Sequence, residues 1–300
     1  MPGSIQSSTA VDLSRLPAPD IVEQLDYETI LAAMLDDLVS RDPTFDQLTD
    51  ADPAMKVLQV AAYRELLVRQ RSNEASRACM VAYAKGADLD QLGAIFGVIR
   101  LEITPADPDE GIPAILETDD ELRRRILLAP DSYSVAGPAS AYVFHALSAD
   151  PDVRDASATS PAPGQVVVAV LSRTGDGTAD QRLLDTVASQ VNGDTVRPLT
   201  DQVSVQSANL IDFDVEAVLH LYSGPDANLI LATAQAGLTS FLEDARRLGR
   251  DVPLSAIMAA LSVAGVHRVE LVSPAADVVV NAVSAPAPGD IAITTAETGE

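Results

Sequence analysis

Between Asp26 and Arg41 the apolar residues Ile30, Leu31, Met34, Leu35, Leu38 and Val39 recur at helical spacing and form one stripe. Asp42-Pro43 closes that helix. A longer one follows. Asp52 is a good N-cap, Pro53 suits the first turn, and no breaker intervenes until Gly86, which can take a left-handed C-cap. The pattern predicts a single helix of about 33 residues, roughly 50 Å long. Its ends are apolar, while the stretch from Arg69 to Arg77 is almost wholly polar. Such a helix suits a bundle or an assembly interface better than a small core. Leu58, Leu66, Met80 and Tyr83 are expected to pack within or between helices, and Arg69, Arg71, Asn73 and Arg77 to meet another subunit. A short helix opens at Asp88 and closes near Gly97. Residues 1–100 therefore predict a helical module, with Asp88, Leu89 and Leu92 added to the candidate interface.

Residues 101–113 are rich in Pro, Gly and acids, the composition of an exposed connector. Thr118 followed by Glu121 reads as a capping box that starts a helix through Arg123-Arg124-Arg125 to Pro130. Pro138 begins another, with Ala141, Phe144 and Leu147 on one side. Residues 101–160 thus form an acidic connector with short helices.

After Pro151 the period shortens to that of strands. Gln165 to Leu171 is β-branched and bounded by turn signals, and a helix covers Ala179 to Val191. Val203 to Gln206 and Ile211 to Leu221 alternate as half-buried antiparallel strands do. Helices at Ala227–Leu248 and Leu254–Ala264 precede strands at His267–Val272 and Asp277–Val283. The expected class is α+β: an N-terminal helical module with one long helix, then a mixed C-terminal region, residues 161–300, with antiparallel sheet. A short echo links Ala146–Val168 to Ala260–Val280, each running from Ala-Leu-Ser through Ser-Pro-Ala to Val-Val-Val. Two helix-to-hairpin units would produce it, and so would chance in an Ala/Val-rich chain.

Charge narrows the partners. The net charge of −24 divides as −8 over residues 1–60, +2 over 61–100, −8 over 101–160 and −10 beyond. So acidic a chain repels phosphate backbones and anionic lipid, so neither nucleic acid nor membrane is an expected partner. Aromatics are 4% and Trp is absent, leaving few platforms for stacking bases. Eighteen of the 20 basic residues are Arg, the exceptions being Lys56 and Lys85. Arg favours oriented pairing at permanent interfaces; a codon bias toward Arg would give the same count. The first eight residues lack a signal-peptide pattern, and the longest strongly apolar run, Val166–Leu171, is far short of a membrane span.

Catalytic chemistry is poorly supplied. His145, His220 and His267 are scattered, with no ligand spacing among them, and Cys79 is alone, read as a small buried hydrophobe. No phosphate loop or hydrolase elbow occurs, and Gly175-Asp-Gly177 reads as a turn rather than a calcium loop. The acids at 109–110 and 119–121 fit a solvated connector and a helix N-terminus. No catalytic residue, cofactor site or metal site is assigned.

One further pattern spans nearly the whole chain. Ala62-Tyr-Arg-Glu-Leu, Arg69-Gln-Arg, Asn73-Glu-Ala and Ala82-Tyr-Ala, then Gly86-Ala-Asp-Leu-Asp90, resemble the baseplate J-like family of contractile phage tails. Leu16-Pro-Ala-Pro19, Leu25-Asp-Tyr-Glu28, Glu117–Ile126, Ser134–Gly137, Asp152–Asp155, Ser160–Gly164, Arg197–Asp201 and Gly265–Val269 continue the likeness in order. The resemblance implies a structural baseplate wedge protein, assembled in the host bacterial cytoplasm into the virion tail baseplate. It implies as partners a second copy of the chain, a tail-fibre-linking baseplate protein, and other wedge and hub- or sheath-proximal proteins. Self-association is then expected of residues 161–300. An oligomeric enzyme or a cell-wall-acting protein is the alternative.

Overall fold

A computed structural model describes residues 19–134, 137–223 and 226–297. The N-terminal residues through Ala18 and the pair Val135-Ala136, both cited above for the resemblance or the N-terminal reading, lie outside the described residues. The expected α+β class holds: helices and strands alternate in mixed sheets. The chain divides into two compact units, a helical one of residues 19–100 with 118–123, and an α+β one of residues 101–117 with 124–297.

In the helical unit, α1 (Tyr27–Arg41) begins where the Asp26 carboxylate accepts the Thr29 N–H at 2.8 Å. A short 3₁₀ turn, Pro43–Phe45, follows. The long helix α2 spans Pro53–Ala78, 26 residues rather than the expected 33 or so. Asp52 is its N-cap residue, but the Asp52 carboxylate turns back to Thr49. The early stop has a physical cause. After Ala78 the chain tightens into turns, with Met80 N–H bonding Arg77 O and Tyr83 N–H bonding Met80 O. The carbonyls of Val81 and Ala84 are then taken by the Arg123 guanidinium, each at 2.8 Å. Gly86 does adopt φ 51°, but as the first residue of α3 (Gly86–Ile95), two residues earlier than the expected start. Cys79 sits at the break and is exposed, not buried as expected.

The helical unit buries little. Ile30, Met55, Ala62, Ala84, Leu89, Val98 and Leu122 are inside. Of the α1 stripe only Ile30 is fully buried; Leu31, Met34, Leu35, Leu38 and Val39 are half-buried.

The α+β unit starts with a hairpin where a bare connector was expected. Strands β1 (Glu102–Thr104) and β2 (Ile115–Leu116) pair antiparallel. Helix α4 (Asp119–Ser132) opens on the expected capping box, Thr118 N–H to Glu121 Oε2 at 3.1 Å and Glu121 N–H to Thr118 Oγ1 at 3.3 Å. It carries Pro130 inside its last turn. Helix α5 (Ala139–Leu147) leads into β3 (Val153–Thr159) and β4 (Gln165–Ser172), an antiparallel pair. Helix α6 (Gln181–Val191) then carries the chain to β5 (Gln202–Ser207), which pairs parallel to β4. The antiparallel expectation for Val203–Gln206 is thus corrected: a crossover helix between two strands brings them parallel.

Strand β6 (Asn209–Leu221) continues β5 almost without interruption. Ala208 N–H bonds Val170 O at 2.8 Å, and the next residue, Asn209, bonds Val283 O at 3.0 Å. At that step one strand leaves the first sheet and enters the second. Helices α7 (Ala227–Ala245) and α8 (Leu254–Leu261) cover the second sheet, whose order is β7 (Val266–Ser273), β6, β8 (Ser284–Glu297). Strand β7 is antiparallel to β6, and β8 parallel. The expected strand at Asp277–Val283 is an irregular segment with one β-bridge, Val252 to Val278. The internal echo therefore reaches only helix and first strand. β3 forms a hairpin with β4, whereas β7 pairs with β6.

Each sheet has its own core. Val168, Val170, Leu183, Val187 and Tyr142 pack in the first. Leu219, Leu238, Leu242, Ile257 and Leu261 pack in the second. Between them lie Leu171, Ala208 and Ala285. Asp155, buried to 2% exposure, braces this junction by accepting the Leu248 N–H at 2.8 Å and pairing with Arg124 at 2.7 Å.

Candidate assembly interface

The seven residues expected at an interface divide by burial. Arg69, Arg71, Arg77 and Asp88 are exposed, Leu92 is half-buried, and Asn73 and Leu89 are buried. Leu89 belongs to the interior of the helical unit. Asn73 serves its own chain: its Nδ2 donates to Glu23 O at 2.9 Å and its Oδ1 accepts the Glu23 N–H at 3.1 Å. An amide used on both sides in this way fastens the segment before α1 onto α2. Arg69 adds to that clamp, bonding Glu65 Oε1 at 2.5 Å and Glu23 Oε2 at 3.3 Å. Arg71 is only loosely paired, 3.9 Å from Glu74, with its side chain 80% exposed.

The strongest surface on α2 is apolar and went unread in the sequence. Val57, Val60, Tyr63, Leu67 and Val68 are all exposed, three of them above 60%. At 100° per residue they fall within an arc of roughly 140°. Buried Met55, Ala62 and Asn73 lie on the opposite side of the helix. Between residues 55 and 72 the exposed arc carries only the cations Lys56, Arg64 and Arg71. An exposed apolar arc of this kind is a candidate surface for a second contact. In the sequence this arc is masked by the long polar middle of the same helix.

A second cluster orders the far end of this unit. Arg100 Nε bonds Asp90 at 2.7 Å and its Nη2 bonds Asp119 at 2.8 Å, with the Arg100 side chain 11% exposed. The Asp119 carboxylate also accepts the Gly86 N–H at 3.2 Å. Burial works against ionisation of Asp119, yet Arg100 and the Gly86 N–H leave its pKa below the usual carboxylate value. A shallow cleft lies beside this cluster, lined by Tyr83, Lys85, Asp120 and Arg123 among others.

In the α+β unit the most deeply buried ion pair among the described residues is Arg125 with Glu117, which also accepts the Leu101 N–H at 3.1 Å. The three Arg residues of α4 take different carboxylates, Asp120 for Arg123, Asp155 for Arg124 and Glu117 for Arg125. The histidines do not converge. His220 meets Glu270 at 3.0 Å on β6 and β7, His267 stands edge-on to Tyr222, and His145 packs against Phe144. Among the described residues no group of three or more His, Cys, Asp or Glu is placed to hold a metal ion. Among the same residues no helix is long and apolar enough to cross a membrane.

Comparison with known proteins agrees along the chain. Residues 50–107 match the Baseplate J-like N-terminal domain, residues 134–207 the Baseplate J-like central domain, and residues 213–294 the Baseplate J-like protein C-terminal domain. "Baseplate protein J" of Escherichia phage P2 is 48% identical over 285 residues, covering 92% of this chain and 94% of that protein. A chain in the cryo-EM structure of the anti-feeding prophage baseplate, 6-fold symmetrised, is 16% identical, with a TM-score of 0.42. That match takes in 60% of this chain and 43% of the other.

Proposed function

The chain belongs to the baseplate J-like family, and from that premise we propose that it is a wedge subunit of a contractile-tail baseplate. The subunit assembles in the host bacterial cytoplasm and enters the virion tail baseplate. It associates with a second copy of itself and with a tail-fibre-linking baseplate protein, and the wedges close around the hub. Attachment at the fibres rearranges wedge contacts and so releases the sheath. This role is mechanical and calls on interfaces with two arrangements rather than on an active site.

The single observation that carries the reading is the 48% identity to baseplate protein J over almost the full length of both chains. The apolar arc on α2 supports it by supplying a surface of the right kind. Its cations suit partner helices that present apolar residues flanked by carboxylates. The test is genetic and structural. Deleting the gene from the phage or prophage that encodes it should leave tails without baseplates in electron micrographs, and supplying the chain in trans should restore them. Normal, infectious tails in its absence would refute the proposal.

A further inference from the structure

The outer edge of β8 is closed along its first half and open along its second. Asn209 N–H bonds Val283 O, so Val283 faces β6. In a strand, alternate residues turn N–H and C=O to opposite sides. Ser284, Pro286 and Pro288 therefore face away from β6. All three are blunted: Ser284 O accepts the Gly249 N–H at 3.0 Å, and the two prolines have no N–H to offer. Proline with its missing donor on the free side is a standard guard of an edge strand.

The register then shifts. Phe213 pairs with Pro288 and Val215 with Ile291, which puts one extra residue in β8. Beyond that bulge the parity is reversed, so Ile291, Ile293 and Thr295 turn their N–H and C=O outward. No described strand pairs that side, since β8 ends the order β7, β6, β8. The segment reads Ile291-Ala-Ile-Thr-Thr-Ala296, with no charge, no proline and high strand propensity. None of the usual guards is present there.

We propose that this half-edge, residues 291–296, pairs antiparallel with the same segment of a second copy of the chain. This rests on the self-association reading above and names its surface. Charge decides the occupant. Two segments without a charge meet without repulsion even in a chain of net charge −24. A two-fold axis near Ile293 sets Ile291 opposite Thr295 and continues the Ile-lined inner face of one sheet into the other. Pro286 and Pro288 precede the segment in each copy, so the two-fold places one pair at each end of the joint and limits it to this short stretch.

The test is sedimentation velocity of the full chain and of two variants. Ile293→Pro deletes an outward N–H and spares the ladder to β6 but gives up an isoleucine packed on the core, and Thr295→Lys, at an exposed position, installs an edge guard without that loss. Both are expected to keep the wild-type circular dichroism and to weaken dimerisation at least ~tenfold. Amide exchange gives an arm that needs no variant: Ile291, Ile293 and Thr295 should be protected in the dimer and exchange freely in the diluted monomer. A dimer unchanged in both folded variants overturns the edge and leaves self-association standing elsewhere. A wild-type chain that stays monomeric at high concentration overturns both readings. Protection of these amides within a monomer also overturns the proposal, because the edge is then closed by its own chain.

Discussion

Arg125 and Glu117 meet fork to fork, Nε to Oε1 at 2.7 Å and Nη2 to Oε2 at 2.6 Å, with only 5% and 4% of the two side chains exposed. Arg125 also donates to Ser148 Oγ at 3.3 Å. Removing one partner of a buried pair strands the other charge, at a cost of about 3–5 kcal/mol. Arg125→Met is expected to lose that much in urea unfolding. Arg125→Met combined with Glu117→Leu should recover much of the loss, since neither charge is then left behind. Equal losses in the single and double variants would show that the pair matters for packing alone.

His145 supplies a pH dependence. Burial holds its imidazole below the usual 6.5, partly offset by a hydrogen bond with the Ser132 backbone. A depressed pKa means that the unfolded chain takes the proton more readily. Its contribution is therefore complete above 6.5 and is lost as the pH falls through that value toward the folded pKa. The urea midpoint of the wild type should drop between about pH 8 and about pH 5.5, and His145→Gln should flatten that slope. Identical slopes would assign the effect to other groups.

Asn73 is expected to be a stability residue. Asn73→Ala leaves the Glu23 N–H and C=O without their partners and should cost ~1–3 kcal/mol. The change should also raise proteolysis near Glu23, read by mass spectrometry of limited digests. Unchanged digestion would mean that the clamp holds nothing.

Local chemistry was legible where partners are close in sequence. The Asp26 cap, the Thr118–Glu121 box and the alternation of Ile211–Leu221 all appear as expected. Distant partners hid the rest. The end of α2 depends on Arg123, about forty positions away, so nothing between Ala78 and Gly86 announced it. Val278-Val-Val looks like a strand but makes a single β-bridge, Val278 to Val252, while the Pro-containing segment from Ser284 forms the real strand. Strand propensity describes side chains, and here the parallel partner β6 decided instead. At the candidate interface the polar run was visible, but whether Asn73 and Leu89 faced inward depended on tertiary packing.

The two surfaces of α2 can be separated by substitution. Arg69, Arg71 and Arg77 are exposed, and exposed pairs contribute only ~0–1 kcal/mol to folding. Reversing all three to Glu should therefore leave the fold intact. Val60 and Val68 are 63% and 69% exposed, so Val60→Asp with Val68→Asp should also fold normally. Within a bundle the effects differ. Each valine buried on assembly is worth about 1.5–3 kcal/mol, and a carboxylate in its place adds a desolvation cost. The valine variant is expected to abolish entry into wedges on co-expression with the other tail proteins, at any ionic strength. The arginine variant is expected to fail as well, with partial recovery at high salt, where repulsion between its new carboxylates and an acidic partner is screened. Pull-down of the co-expressed complex, with circular dichroism of each variant, reads both. Normal wedges from the valine variant would remove the apolar arc from the interface, and normal wedges from the arginine variant would reduce its polar middle to a solvated helix face.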